Sequence, residues 1–131
     1  MPLKPDRSRH QIFGIKNCDS MKKTFAWLNA NNINYEFIDY KKSGVVARHL
    51  PDWNQRAGWK LLLNTRGLTW RKLDDLQRTD IDEAKALALM TEYPCLIKRP
   101  VVDCGGRLLV GFDPERYRVE LMQNLEPEGS I

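Results

Sequence analysis

The chain has 131 residues, 42% of them hydrophobic and 29% charged, which suits one globular domain with a modest core and excludes a disordered or fibrous protein. Its 21 basic and 17 acidic residues leave a formal charge of +4. They are scattered without an aromatic–basic stripe or an RNA-binding signature, so no nucleic-acid partner is expected. Three cysteines, none in a Cys-x-x-Cys pair, argue against a disulfide scaffold and fit a cytoplasmic location.

No metal site is expected, because His10 and His49 stand at no ligand spacing from Cys18, Cys95 or Cys104. No run is long and apolar enough for a membrane span. Residues 1–10 are basic but lack the apolar stretch of a signal peptide, and read as a flexible N-terminal arm.

Residues 11–15 form a short apolar run that reads as a buried strand. At its end Lys16-Asn17-Cys18-Asp19 leads into a helix over residues 20–31, with Met21, Phe25 and Leu28 at helical spacing. A thiol at such a junction feels the unpaired N–H groups of the helix start, which favour thiolate over thiol. Lys22 and Lys23 add positive charge there and Asp19 opposes it. Residues 35–40 alternate apolar and acidic side chains as a half-buried strand, which completes a βαβ unit with parallel strands.

The middle of the chain is less regular. Leu50, Trp53 and Ala57 predict a short helix, with Pro51 in its first turn and Gly58 just past its end. Residues 59–63 and 68–73 are apolar clusters on either side of the turn Asn64-Thr65-Arg66-Gly67, and Trp53, Trp59 and Trp70 are expected to form the core of this insertion. Thr79-Asp80-Ile81-Asp82 caps a helix over residues 83–92 that Pro94 closes. Residues 97–103 and 107–112 flank Cys104-Gly105-Gly106 as a β-hairpin, and Asp113-Pro114-Glu115 opens a last helix with Tyr117, Leu121 and Met122 pointing inward. The expected class is α/β, a four-stranded mixed sheet flanked by helices. One domain would span residues 11–124, with a helical insertion at about 45–80 and a tail over 125–131.

Four stretches together resemble the arsenate reductase-like (ArsC/Spx) family of the thioredoxin superfamily, and within it the YffB-like subgroup. They are Gly14-Ile15-Lys16-Asn17-Cys18-Asp19, Leu63-Asn64-Thr65-Arg66-Gly67, Thr69-Trp70-Arg71-Lys72-Leu73 and Ile97-Lys98-Arg99-Pro100-Val101. The resemblance implies a thioredoxin-like fold with a helical insertion between its halves, Cys18 as the redox-active thiol, and a cis peptide bond before Pro100 opposite it. It also implies Lys16, Asn17, Arg99, Pro100 and Arg66 as contacts for substrate or glutathione.

Arsenate reductases of this family bind the oxyanion with three arginines, and only Arg99 maps cleanly. Asn64 stands where another is expected, Val110-Gly111-Phe112 holds none at the third position, and Gly14 replaces a histidine four residues before the cysteine. Met21 stands where a dithiol oxidoreductase would keep its resolving cysteine. The resemblance therefore implies a single-cysteine thiol reductase that works through a mixed disulfide at Cys18, with no bound cofactor. Glutathione or a glutaredoxin-like reductant would supply the second thiol, and the unnamed substrate would pass between disulfide and thiol forms. Two alternatives stand beside it: an arsenate reductase, and an Spx-like regulator binding RNA polymerase, although the Cys-x-x-Cys switch usual in Spx proteins is absent.

Overall fold

The computed structural model describes residues 10–122, which fall into two compact units. The expected arm over residues 1–10 and tail over 125–131 lie outside the described residues, except for His10, which opens the first strand.

The first unit combines the chain up to Ile38 with the chain from Arg99 onward. Its four-stranded mixed sheet has the order β2-β1-β3-β4, with β1 at His10–Gly14, β2 at Tyr35–Asp39, β3 at Val101–Asp103 and β4 at Leu108–Val110. The pairs β1–β3 and β3–β4 are antiparallel. Helix α1, Asp19–Ala30, connects β1 to β2. The central β3 is paired on both edges, and its Val101 and Val102 are fully buried, as the near-continuous apolar run of an interior strand requires.

The core of this unit is a cluster of Ile12 from β1, Met21 and Leu28 from α1, Ile33, Val102 from β3, Leu109 from β4, and Tyr117 and Leu121 from the last helical segment. Full burial of an aliphatic side chain of this size stabilises a fold by about 1.5–3 kcal/mol. Phe25 stacks on Tyr35 and meets Phe37 edge-on, which ties α1 to β2.

The second unit is the continuous segment Asp39–Lys98. It contains α2 (Val45–Ala57), α3 (Trp59–Leu62), α4 (Leu68–Lys72), α5 (Asp75–Arg78), α6 (Glu83–Glu92) and a 3₁₀ turn at Pro94–Leu96. Trp53 is fully buried, whereas Trp59 and Trp70 are only half-buried. The Tyr40 hydroxyl donates to the Ile97 carbonyl at 2.7 Å and anchors the end of the segment to its beginning.

Several boundaries differ from the sequence-based expectation. Helix α2 starts at Val45, so Pro51 lies inside it and not in its first turn. Helix α5 was not expected; a capping box in which Asp74 and Gln77 satisfy each other's backbone N–H groups supports it. Strand β3 begins at Val101 because Ile97 is bridged to Leu63 and the Arg99–Pro100 step intervenes. The last helix, α7 at Pro114–Tyr117, widens after one turn into a π-type segment, Arg118–Met122.

Candidate functional site

Cys18 is the N-cap residue of α1, with extended backbone angles of φ −150° and ψ 154°. Its carbonyl accepts the Lys22 N–H at 3.0 Å, so its backbone is already inside the helix ladder, while its side chain makes no capping hydrogen bond. The thiol is half-buried and packs against the core cluster of the first unit, whereas Lys16, Asn17 and Asp19 around it are exposed. A partly exposed sulfur on a fixed backbone suits nucleophilic chemistry.

The strand register brings the second part of the site to the same sheet end. Phe13 of β1 is the partner of Val101 of β3. One residue further along each antiparallel strand stand Gly14, which leads to Cys18, and Pro100. The Arg99–Pro100 bond is cis. Pro100 is buried and Arg99 is half-buried.

The Pro100 carbonyl accepts the Gly111 N–H at 2.8 Å, so this group is already engaged inside the protein. Gly111 adopts φ +88°, a backbone region that side chains disfavour. Its own carbonyl accepts the Tyr117 hydroxyl at 2.6 Å. Burial pushes the Tyr117 phenol well up, against the opposing effect of a hydrogen bond with the Thr24 side chain, so it stays a neutral donor. Thr24 in turn donates to the Ser20 carbonyl at 2.7 Å in the first turn of α1. Two hydrogen bonds thus run from the proline step through Gly111 to Tyr117. The Tyr117 contact with Gly111 was not legible in the sequence, since a buried tyrosine at helical spacing reads simply as core.

Met21 and Gly14 share one packing arrangement. Met21 is fully buried, and a Cβ placed on Gly14 would lie 2.5 Å from its sulfur. The space beside Gly14 is therefore filled by Met21.

The other cysteines differ in environment. Cys18, Cys95 and Cys104 form no disulfide. Cys104 contacts the same core cluster as Cys18, and its Sγ lies 3.4 Å from the Arg107 carbonyl. Burial, with the carboxylates of Asp103 and Glu120, pushes the Cys104 thiol up and disfavours its thiolate. Arg66, expected as a contact for substrate or glutathione, belongs to the second unit, where it lines an open pocket with Trp59, Lys60, Leu63 and Lys98. Among the described residues no group of three His, Cys, Asp or Glu is arranged to hold a metal, and no helix is long and apolar enough to cross a membrane.

Comparison with known proteins agrees with this geometry. A solved structure named YFFB is 48% identical and superposes with a TM-score of 0.81, covering 86% of this chain and 98% of that one. An arsenate reductase (ArsC) related protein from Brucella melitensis is 44% identical at a TM-score of 0.70, covering 86% and 93%. An uncharacterized protein of Haemophilus influenzae is 38% identical over 82% of this chain and 94% of its own length. The global transcriptional regulator Spx of Streptococcus mutans is 25% identical over 84% and 81%. The family model described as the ArsC family matches residues 13–119, and the chain belongs to that family, with the thioredoxin-like fold of its members.

Proposed function

We propose that the protein is a glutathione-dependent thiol reductase of the cytoplasm that uses Cys18 as its single redox-active thiol. The observation that carries this reading is the pairing of Phe13 with Val101, which sets the strand end leading to Cys18 beside the cis Arg99–Pro100 step. The Cys18 thiolate attacks the glutathione sulfur of a mixed disulfide. The substrate leaves as a thiolate and takes a proton from water, and Cys18 is left joined to glutathione. The thiolate of a second glutathione attacks that adduct, forming oxidised glutathione and restoring Cys18.

Lys16 and Arg99 pair with the carboxylates of glutathione, and Asn17 and the backbone preceding Pro100 hold its peptide. The buried Met21 leaves the first turn of α1 without a second thiol, and Cys104 is held in its less reactive protonated form.

Turnover of a glutathione mixed disulfide by the wild type, Cys18→Ser and the Cys95→Ser/Cys104→Ser double variant tests the reading. Activity is expected in the wild type and the double variant and absent from Cys18→Ser. Loss of activity in a folded double variant overturns the single-thiol mechanism.

The Spx relative favours one other reading, a regulator that binds RNA polymerase. Retention of purified RNA polymerase on the immobilised protein, together with no turnover, would select it.

A further inference from the structure

The sheet of the first unit ends on β4, whose sequence Leu108-Leu109-Val110 carries no charge and no proline. The ladder to β3 fixes which backbone groups of this strand are used. The Cys104 N–H donates to the Arg107 carbonyl at 3.1 Å and the Gly111 N–H to the Pro100 carbonyl at 2.8 Å. In the register that pairs Val102 with Leu109, antiparallel alternation makes Arg107, Leu109 and Gly111 the residues bonded to β3. Leu108 and Val110 therefore turn their N–H and C=O groups away from the sheet, and among the described residues these groups have no partner.

An unpaired apolar edge is a template for another strand, and proteins that stay single guard such edges with charged side chains, prolines or bulges. The opposite edge strand, β2, is guarded in this way, since Tyr35-Glu36-Phe37-Ile38-Asp39 carries an exposed Glu36 within it and Asp39 at its end. Strand β4 has no such guard.

The flanks of β4 favour one kind of partner. Arg107 precedes the strand, its side chain 64% exposed although it lies 3.5 Å from Glu120, and the exposed Asp113 follows two residues after Gly111. The edge thus runs from a cation to an anion, and an antiparallel copy of it runs from the anion to the cation. A two-fold axis at Leu109 sets Leu108 opposite the partner's Val110 and Leu109 opposite the partner's Leu109, so apolar side chains pair across the seam. Arg107 faces the partner's Gly111, with the partner's Asp113 two residues further on, and no like charges meet. This register engages the N–H and C=O of Leu108 and Val110 in both copies. Sliding the copies by two residues loses half of these bonds, because Gly105 at φ +90° and Gly111 at φ +88° end the extended backbone on either side.

From these unpaired groups and this order of charges, we propose that a second copy of the chain docks on β4. The two β4 strands pair antiparallel and join two four-stranded sheets into one of eight strands. Every residue involved belongs to the first unit. The seam is a short strand, so the association is weak and concentration-dependent.

Sedimentation equilibrium of the full-length protein over about a hundredfold range of concentration, with amide hydrogen exchange read residue by residue at both ends of that range, tests the proposal. A monomer–dimer equilibrium is expected. The amides of Leu108 and Val110 should exchange more slowly at the high concentration, while those of β2 should not change. Val110→Lys puts a charge into both halves of the seam and should stay folded by circular dichroism but monomeric. Arg107→Gln removes both flanking ion pairs and should weaken association about fivefold. Cys18→Ser should associate like the wild type, so this proposal and the thiol mechanism fail independently.

A protein that is monomeric throughout overturns the proposal. So does a dimer in which Leu108 and Val110 exchange as they do in the monomer, since its interface lies elsewhere. The exchange measurement on the wild type keeps the test decisive even if Val110→Lys does not fold.

Discussion

Tyr117 links the last helical segment to the backbone behind the proline step. Its hydroxyl satisfies the carbonyl of Gly111, whose N–H holds the Pro100 carbonyl, and its ring meets Trp27 and Phe112 edge-on. Tyr117→Phe keeps the rings in contact and removes the hydrogen bond, so a loss of about 1–2 kcal/mol is expected from urea unfolding. An unchanged midpoint would show that water replaces the phenol at no cost. His10 gives a second prediction, on pH. Burial lowers the pKa of its imidazole from the ordinary 6.5, with the Asp103 carboxylate opposing, and its Nε2 has no hydrogen-bond partner among the described residues. As pH falls through 6.5 the unfolded chain takes up a proton that the folded chain resists. Stability should therefore fall with acidification below that point, level off below the folded value, and show no His10 contribution above it. His10→Phe should flatten this slope in unfolding midpoints measured between pH 5 and 8, and an identical slope in the variant sinks the assignment.

At the scale of elements, legibility followed the length and regularity of the apolar pattern. Helix α1 was readable from Met21, Phe25 and Leu28, α6 from its Asp82 cap, and the hairpin from Cys104-Gly105-Gly106, because each signal is local. Pro51 was misplaced because its first-turn preference was followed while the apolar positions Val45 and Val46, which extend α2 backward, were not counted. The short start of β3 depends on the bridge between Leu63 and Ile97, residues 34 apart in sequence, which no local pattern encodes. The contact between β1 and α1 has the same character. Gly14 read as a missing histidine and Met21 as a missing cysteine, yet the two are one packing unit, with Met21 filling the volume that a side chain on Gly14 would need. Gly14→Ala should cost about 1–3 kcal/mol through overpacking. Met21→Ala alone should also destabilise, by about 2–5 kcal/mol. In the double variant the new methyl enters the vacated space, so the two losses should add to less than their sum by at least about 0.5 kcal/mol. Strict additivity in thermal or urea unfolding would show that Met21 turns aside freely.

At the scale of the whole molecule, the sequence pointed to Cys18 and to the proline step, because both sit in short motifs, but not to what separates Cys104 chemically from a thiol in water. That separation comes from neighbours brought together by the fold. Cys104 stands in the hairpin turn, where Asp103 adjoins it in sequence and Glu120 reaches it from the last helical segment, held by Arg107 at 3.5 Å and Arg116 at 3.9 Å. Burial is the larger effect and the two carboxylates add to it, so the Cys104 thiol stays protonated to higher pH than a thiol in water. Only the thiolate reacts with iodoacetamide at an appreciable rate. In the folded protein, alkylation of Cys104 should therefore be slow at neutral pH and should rise only above the ordinary thiol range near 8.5, whereas in urea it should follow that ordinary range. Glu120→Gln removes one carboxylate and should shift the folded profile toward lower pH while leaving the profile in urea unchanged. Peptide mass mapping after timed alkylation across pH 6.5 to 10 reads all three cysteines in one experiment. If the folded and unfolded profiles of Cys104 coincide, the hairpin turn does not protect this thiol, and Cys104 returns as a candidate partner for the thiol chemistry of Cys18.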